Sequence, residues 1–103
     1  MADLSEYLEL YIEESEVHFK TLRESLDLLE QDGELSKPIR AGHIAAHSLK
    51  GISLAMQFEV PSTFAEELET YFRLVLDGRK QVDLEELRTF VERLERAVGE
   101  AVA

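Results

Sequence analysis

The sequence contains no cysteine and no tryptophan, and only two prolines and five glycines among 103 residues. Without cysteine there is no disulfide framework and no thiolate chemistry, and a cytoplasmic setting is expected. Few helix breakers leave room for long uninterrupted elements. No stretch approaches the roughly 18 apolar residues that would span a bilayer, so no membrane insertion is expected. The start, Met1-Ala2-Asp3-Leu4-Ser5-Glu6, is acidic and lacks a signal peptide's basic and apolar regions. Positive charge is also scarce: 11 Lys and Arg stand against 22 Asp and Glu, a net charge of −11. That balance excludes nucleic acid as a partner, because a phosphate backbone requires a cationic surface. One more deficit is local. Between Glu34 and Glu59 there is no acidic residue, where average composition would place about five. The same stretch carries Lys37, Arg40, His43, His47 and Lys50.

What is present belongs to a folded helical domain. Hydrophobic residues make up 45% and charged residues 32%, which rules out a disordered tail. The length allows one domain, residues 1–103. Leu4, Leu8, Tyr11, Ser15, His18, Leu22, Ser25, Leu26 and Leu29 recur every three or four residues, which predicts a helix over 4–30. Asp3 is its N-cap candidate, and Gln31-Asp32-Gly33 reads as a stop and turn. A second helix is predicted over 36–57, capped by the Ser36 hydroxyl with Pro38 in its first turn. Its inward stripe is Gly42, Ala45, Ala46, Leu49, Ile52, Ser53 and Met56, small enough for close approach of a neighbour. Pro61 and Ser62 open a third helix over 62–77, with Phe64, Leu68, Tyr71, Phe72 and Val75 inward. After the turn Asp77-Gly78-Arg79-Lys80, Asp83 caps a fourth over 83–100, with Leu84, Leu87, Phe90, Val91, Leu94 and Val98 inward. Short polar connections favour an all-α, antiparallel up-down-up-down four-helix bundle.

His47 stands apart on this scaffold. At 100° per residue it falls about 160° from Leu49, almost opposite the core stripe of its helix. His18, by contrast, lies on the apolar stripe of the first helix and reads as structural. Arg40, His43, Ile44, Lys50, Gly51 and Leu54 share the outer face with His47. Ile44 and Leu54 serve solubility poorly there and suggest docking of a partner, with Arg40 and His43 beside them. Gly51 weakens the helix by about 1 kcal/mol relative to Ala, but it opens access to the imidazole. Lys50 puts positive charge near any anion carried by His47. A neutral imidazole nitrogen is a nucleophile near neutral pH, provided the other nitrogen is held protonated by a carboxylate. On the third helix Glu69 lies about 100° from Leu68, at the edge of the stripe. Glu66 faces solvent more directly, and remains an alternative.

The run Ala45-Ala46-His47-Ser48-Leu49-Lys50-Gly51 resembles the His-Ser/Thr-Leu/Ile-Lys-Gly motif of histidine phosphotransfer (HPt) domains, above all those at the N-terminus of CheA-type chemotaxis kinases. The likeness extends from Glu6-Tyr7-Leu8 and Phe19 to Glu30, through Met56 and Phe58, to Glu66-Glu67-Leu68-Glu69. It implies that His47 is phosphorylated, at the nitrogen farther from the backbone. It implies further that Lys50 is the motif lysine, that Gly51 leaves room for the phosphoryl group, and that Glu69 hydrogen-bonds the imidazole. The implied partners are a histidine kinase catalytic domain, which binds ATP and Mg²⁺, and a CheY-like response regulator whose aspartate receives the phosphoryl group. No cofactor or metal is expected in this domain, which would be a monomer when isolated and is either a whole protein or the front of a larger CheA-like kinase. Three departures stand out: Glu66 where many members have histidine, Gln57 where a glycine is frequent, and Ile52-Ser53-Leu54 for Gly-Ala-Gly.

Two other functions compete. His43 and His47 have a ligand's i, i+4 spacing, but Ile44-Ala45-Ala46 lies between them and a closed metal site needs about four ligands. A bundle of this architecture also serves as a purely structural or interaction module, never phosphorylated, whether degenerate or engineered. Against that, a structural helix gains nothing from glycine at position 51.

Overall fold

Asp3 initiates the first helix: its Oδ1 accepts the Glu6 backbone N–H at 3.1 Å, satisfying one of the orphan donors of α1, Leu4–Glu30. The computed structural model describes residues 3–31 and 34–103. Gln31 is the C-cap of α1, with its N–H on the Leu28 carbonyl, while Asp32 and Gly33 of the expected turn lie outside the described residues. The remaining helices are α2, Ser36–Ala55, α3, Glu59–Leu76, and α4, Leu84–Val102. Asp83 caps α4 as the sequence predicts, accepting from the Glu6-like third position, Glu86, at 3.1 Å.

One cap and several boundaries differ from expectation. Ser36 does not cap α2: the N-cap is Leu35, without a side-chain bond, and the Ser36 hydroxyl donates to Glu34 at 2.7 Å. Ser36 is already the first helical residue, so its side chain stands past the N–H groups it was expected to satisfy. α2 stops at Ala55 instead of Gln57 because Gln57 takes a left-handed φ of 60°. The Phe58 N–H then returns to Ser53 and the Gln57 N–H to Leu54, a Schellman closure. α3 begins at Glu59, three residues early, which puts Pro61 in the first turn, where its missing N–H leaves no bond unmade. Ser62 is therefore inside the helix, its hydroxyl donating to the Glu59 carbonyl. α4 runs on to Val102, two residues past the expected end.

The core is built from Tyr11, Phe19, Leu22, Leu26 and Leu29 of α1, Ile39 and Leu49 of α2, Leu68 and Phe72 of α3, and Leu87, Val91 and Leu94 of α4. Two expectations for α1 fail. Leu4 is 81% exposed, and Phe19 is buried while His18 is only half-buried. An aromatic ring gains more from burial than an imidazole whose nitrogens need partners, so Phe19 takes the interior. Ala65, Ala97 and Pro38 are buried beyond the expected stripes. Each helix packs on two others in a ring, α1 on α2, α2 on α3, α3 on α4 and α4 on α1. Among the described residues the diagonal pairs do not pack. With short connections this is the antiparallel four-helix bundle, a rod of 48 × 20 × 20 Å. The α2–α3 seam is the most extensive. Gly42 makes it close: a Cβ there would stand 2.5 Å from the Phe72 ring. At the far end the Tyr71 hydroxyl accepts the Asp83 N–H at 2.9 Å and ties the α3–α4 turn to the bundle.

Candidate functional site

The α2–α3 seam brings three of the candidate site residues together. His47 and Lys50, one turn apart on α2, both reach Glu69 of α3. Glu69 Oε2 lies 2.5 Å from His47 Nδ1, and Glu69 Oε1 accepts from Lys50 Nζ at 2.6 Å. The three side chains differ sharply in exposure: 66% for His47, 25% for Lys50 and 7% for Glu69. A buried carboxylate thus anchors an exposed imidazole. Burial alone would push the Glu69 carboxyl up. The hydrogen bonds from Lys50 and His47, and then their charges, outweigh it and hold it below its ordinary value of 4.5. Glu69 is therefore ionised near neutral pH and can only accept, so the proton of the His47 bond resides on Nδ1. With Nδ1 carrying the proton, Nε2 is the nitrogen left with a lone pair, on an imidazole that is largely exposed. Glu66, the alternative partner, is exposed and takes no part.

Gly51 lies one turn beyond His47, and a Cβ built there would meet no atom within 4 Å. The fold does not require this glycine, unlike Gly42. It leaves open the space beside the imidazole. That space is a surface cavity of about 530 Å³ between α1 and α2, lined by Glu14, Val17 and His18 on one side and His47, Ser48 and Gly51 on the other.

Three of the four residues expected to dock a partner are exposed. Ile44 and Leu54 are 66% and 58% exposed, and Arg40 is exposed. Arg40, His43 and Ile44 line a separate cavity of about 480 Å³ with Leu76 and Asp77 of α3. His43 is half-buried, and its Nε2 is shielded from solvent without a hydrogen-bond partner. Among the described residues no group of three or more His, Asp or Glu converges as metal ligands would. The sequence reasoning missed the α1 wall of the His47 cavity. Its one signal was Val17, an apolar residue off the core stripe and 62% exposed. No helix of the described residues is long and apolar enough to cross a membrane.

The family model described as Hpt domain matches residues 6–101. The chain is also 31% identical to "Chemotaxis protein CheA" of Bacillus subtilis (strain 168) over 93 residues, covering 90% of this chain and 14% of CheA. It thus spans about one-seventh of the length of that relative. No solved structure gives a significant match. An exposed histidine anchored by a buried glutamate on a helical bundle, within a family match spanning nearly the whole chain, places this protein in the Hpt domain family.

Proposed function

We propose that this domain carries phosphoryl groups on His47 Nε2 in a bacterial two-component chemotaxis phosphorelay, and that it works in the cytoplasm. The supporting observation is the buried Glu69 carboxylate bridging His47 Nδ1 and Lys50 Nζ. It fixes the tautomer and orients the ring, as a carboxylate does for other nucleophilic or ligating histidines. In the loading step the Nε2 lone pair forms a bond to the γ-phosphorus of ATP held by a separate histidine kinase domain, which also supplies Mg²⁺. The P–O bond to ADP breaks, and its electron pair leaves with ADP. The Nδ1 proton stays between the ring and Glu69, and the Lys50 ammonium keeps that carboxylate charged. In the unloading step an aspartate oxygen of a CheY-like receiver domain attacks the phosphorus. The P–N bond breaks and its electron pair returns to the imidazole. Gly51 gives the partners access, and Arg40, His43, Ile44 and Leu54 supply docking contacts.

Incubation with ATP and a CheA-type kinase core tests this. Acid-labile phosphate on the native protein, absent from His47→Gln, is the expected result. No label, or equal label on His47→Gln, overturns the proposal in favour of an interaction-only bundle.

A further inference from the structure

We propose that His18 is a second functional histidine, one that donates a hydrogen bond to the phosphoryl group carried on His47; this rests on the phosphotransfer function above. His47 Nδ1 is committed to Glu69 on the α3 side. Nε2, on the opposite edge of the ring, therefore addresses the solvent-exposed side, where the cavity shared with α1 lies. A group bonded to Nε2 enters that cavity of about 530 Å³, which has ample room for it.

The cavity poses an electrostatic problem. A phosphoryl group brings close to two negative charges into a chain already at −11, and Glu14 lines the same wall. Lys50, the nearest lysine on α2, has its ammonium on Glu69 and does not line the cavity. Of the cavity-lining side chains other than His47 itself, only His18 carries an N–H donor, and Ser48 adds a hydroxyl. His18 is half-buried and lines the cavity wall contributed by α1. Its imidazole thus supplies an N–H donor to the same cavity that His47 lines.

The consequence is kinetic. Phosphoryl transfer passes through a loose, metaphosphate-like transition state. The phosphoryl oxygens carry more negative charge in the phosphohistidine than in that transition state. A donor on those oxygens therefore stabilises the loaded form and slows loss of phosphate to water. A hydrogen bond to a charged acceptor corresponds to roughly tenfold or more in rate when fully realised. A half-exposed donor should deliver about threefold to tenfold.

The test uses phosphoramidate as donor, so that no kinase contact intervenes. The Nε2 lone pair bonds to phosphorus while the donor's P–N bond breaks and ammonia departs. ³¹P NMR then follows the decay of the phosphohistidine signal in the native protein, His18→Leu and His18→Gln. His18→Leu should shorten the lifetime about threefold to tenfold, and His18→Gln, which keeps an N–H donor, should restore part of it. The His18 ring resonances of the native protein should shift on loading. Equal lifetimes in all three proteins, with unmoved His18 resonances, overturn the role of His18 and leave phosphotransfer intact. Failure of the native protein to acquire phosphate on His47 instead overturns the phosphotransfer function, and the role of His18 with it.

Discussion

Glu69 is the residue on which the site depends, because one carboxylate holds both the imidazole and the lysine. Glu69→Ala should slow phosphorylation of His47 by about 10- to 100-fold, as loss of an orienting partner does elsewhere, measured as the initial rate of acid-labile labelling. The same residue links stability to pH. A carboxyl with a lower pKa folded than unfolded binds its proton more weakly in the native state. Its contribution is thus present above the ordinary value of 4.5 and is lost as pH falls through the lowered folded value. Urea midpoints taken from pH 7 downward should fall less steeply for Glu69→Gln than for the native protein across that window; parallel curves would contradict it. Glu69 was legible in the sequence as an edge position and as the glutamate of the motif, while its burial and the arrival of Lys50 at the same carboxylate were not. His18 reads as structural from its place on the stripe of α1, and only the cavity between α1 and α2 suggests another role for it. Helical periodicity says which side of α1 faces inward, but not which of two adjacent residues a neighbouring helix turns into a groove.

At the scale of the helices, three positions make a graded test of why glycine is used. Gly51 has open space where a Cβ would stand, so Gly51→Ala should raise stability by about 0.5–1 kcal/mol through helix propensity, read from urea unfolding. The same substitution should reduce transfer from a kinase domain, since the methyl enters the approach to His47. Gly42→Ala should lower stability, because its Cβ would stand 2.5 Å from Phe72 unless the helices part. Gln57→Gly should stabilise by about 1 kcal/mol, the strain of a non-glycine residue at a φ of 60°. Gly78 holds the equivalent place after α3, with a φ of 73° and the same paired return bonds. The caps Asp3 and Asp83 were legible because an N-cap is a local pattern. The end of α2 was not, because glutamine gives no local sign of a left-handed conformation that tertiary structure imposes. Ser36 was misjudged for a related reason: the chain enters α2 one residue earlier than its best capping side chain.

For the molecule as a whole, charge is the unusual quantity. With 22 acidic against 11 basic residues, self-repulsion opposes the compact state at low ionic strength. The ion pairs Arg23–Glu95, Lys80–Glu86 and Arg88–Glu30 are all substantially exposed and individually worth little. Screening should therefore relieve more repulsion than it removes attraction. Raising NaCl from about 10 mM to 300 mM, which shortens the Debye length from roughly 30 Å to below 10 Å, should raise Tm. A fall in Tm would show that the pairs dominate. The ring order of the bundle was legible from four amphipathic stripes and short connections. The dominance of the α2–α3 seam was foreshadowed only by the small residues of α2.

That ring order has a practical consequence. α4 packs on α1 and α3 but, among the described residues, not on α2. The outer face of α4 is thus the natural place for a fluorophore, a spin label or an affinity handle. Glu92 and Arg93, both exposed there, offer attachment points on the helix farthest from the His47-bearing α2, from which the proposed phosphorylation of His47 can be followed.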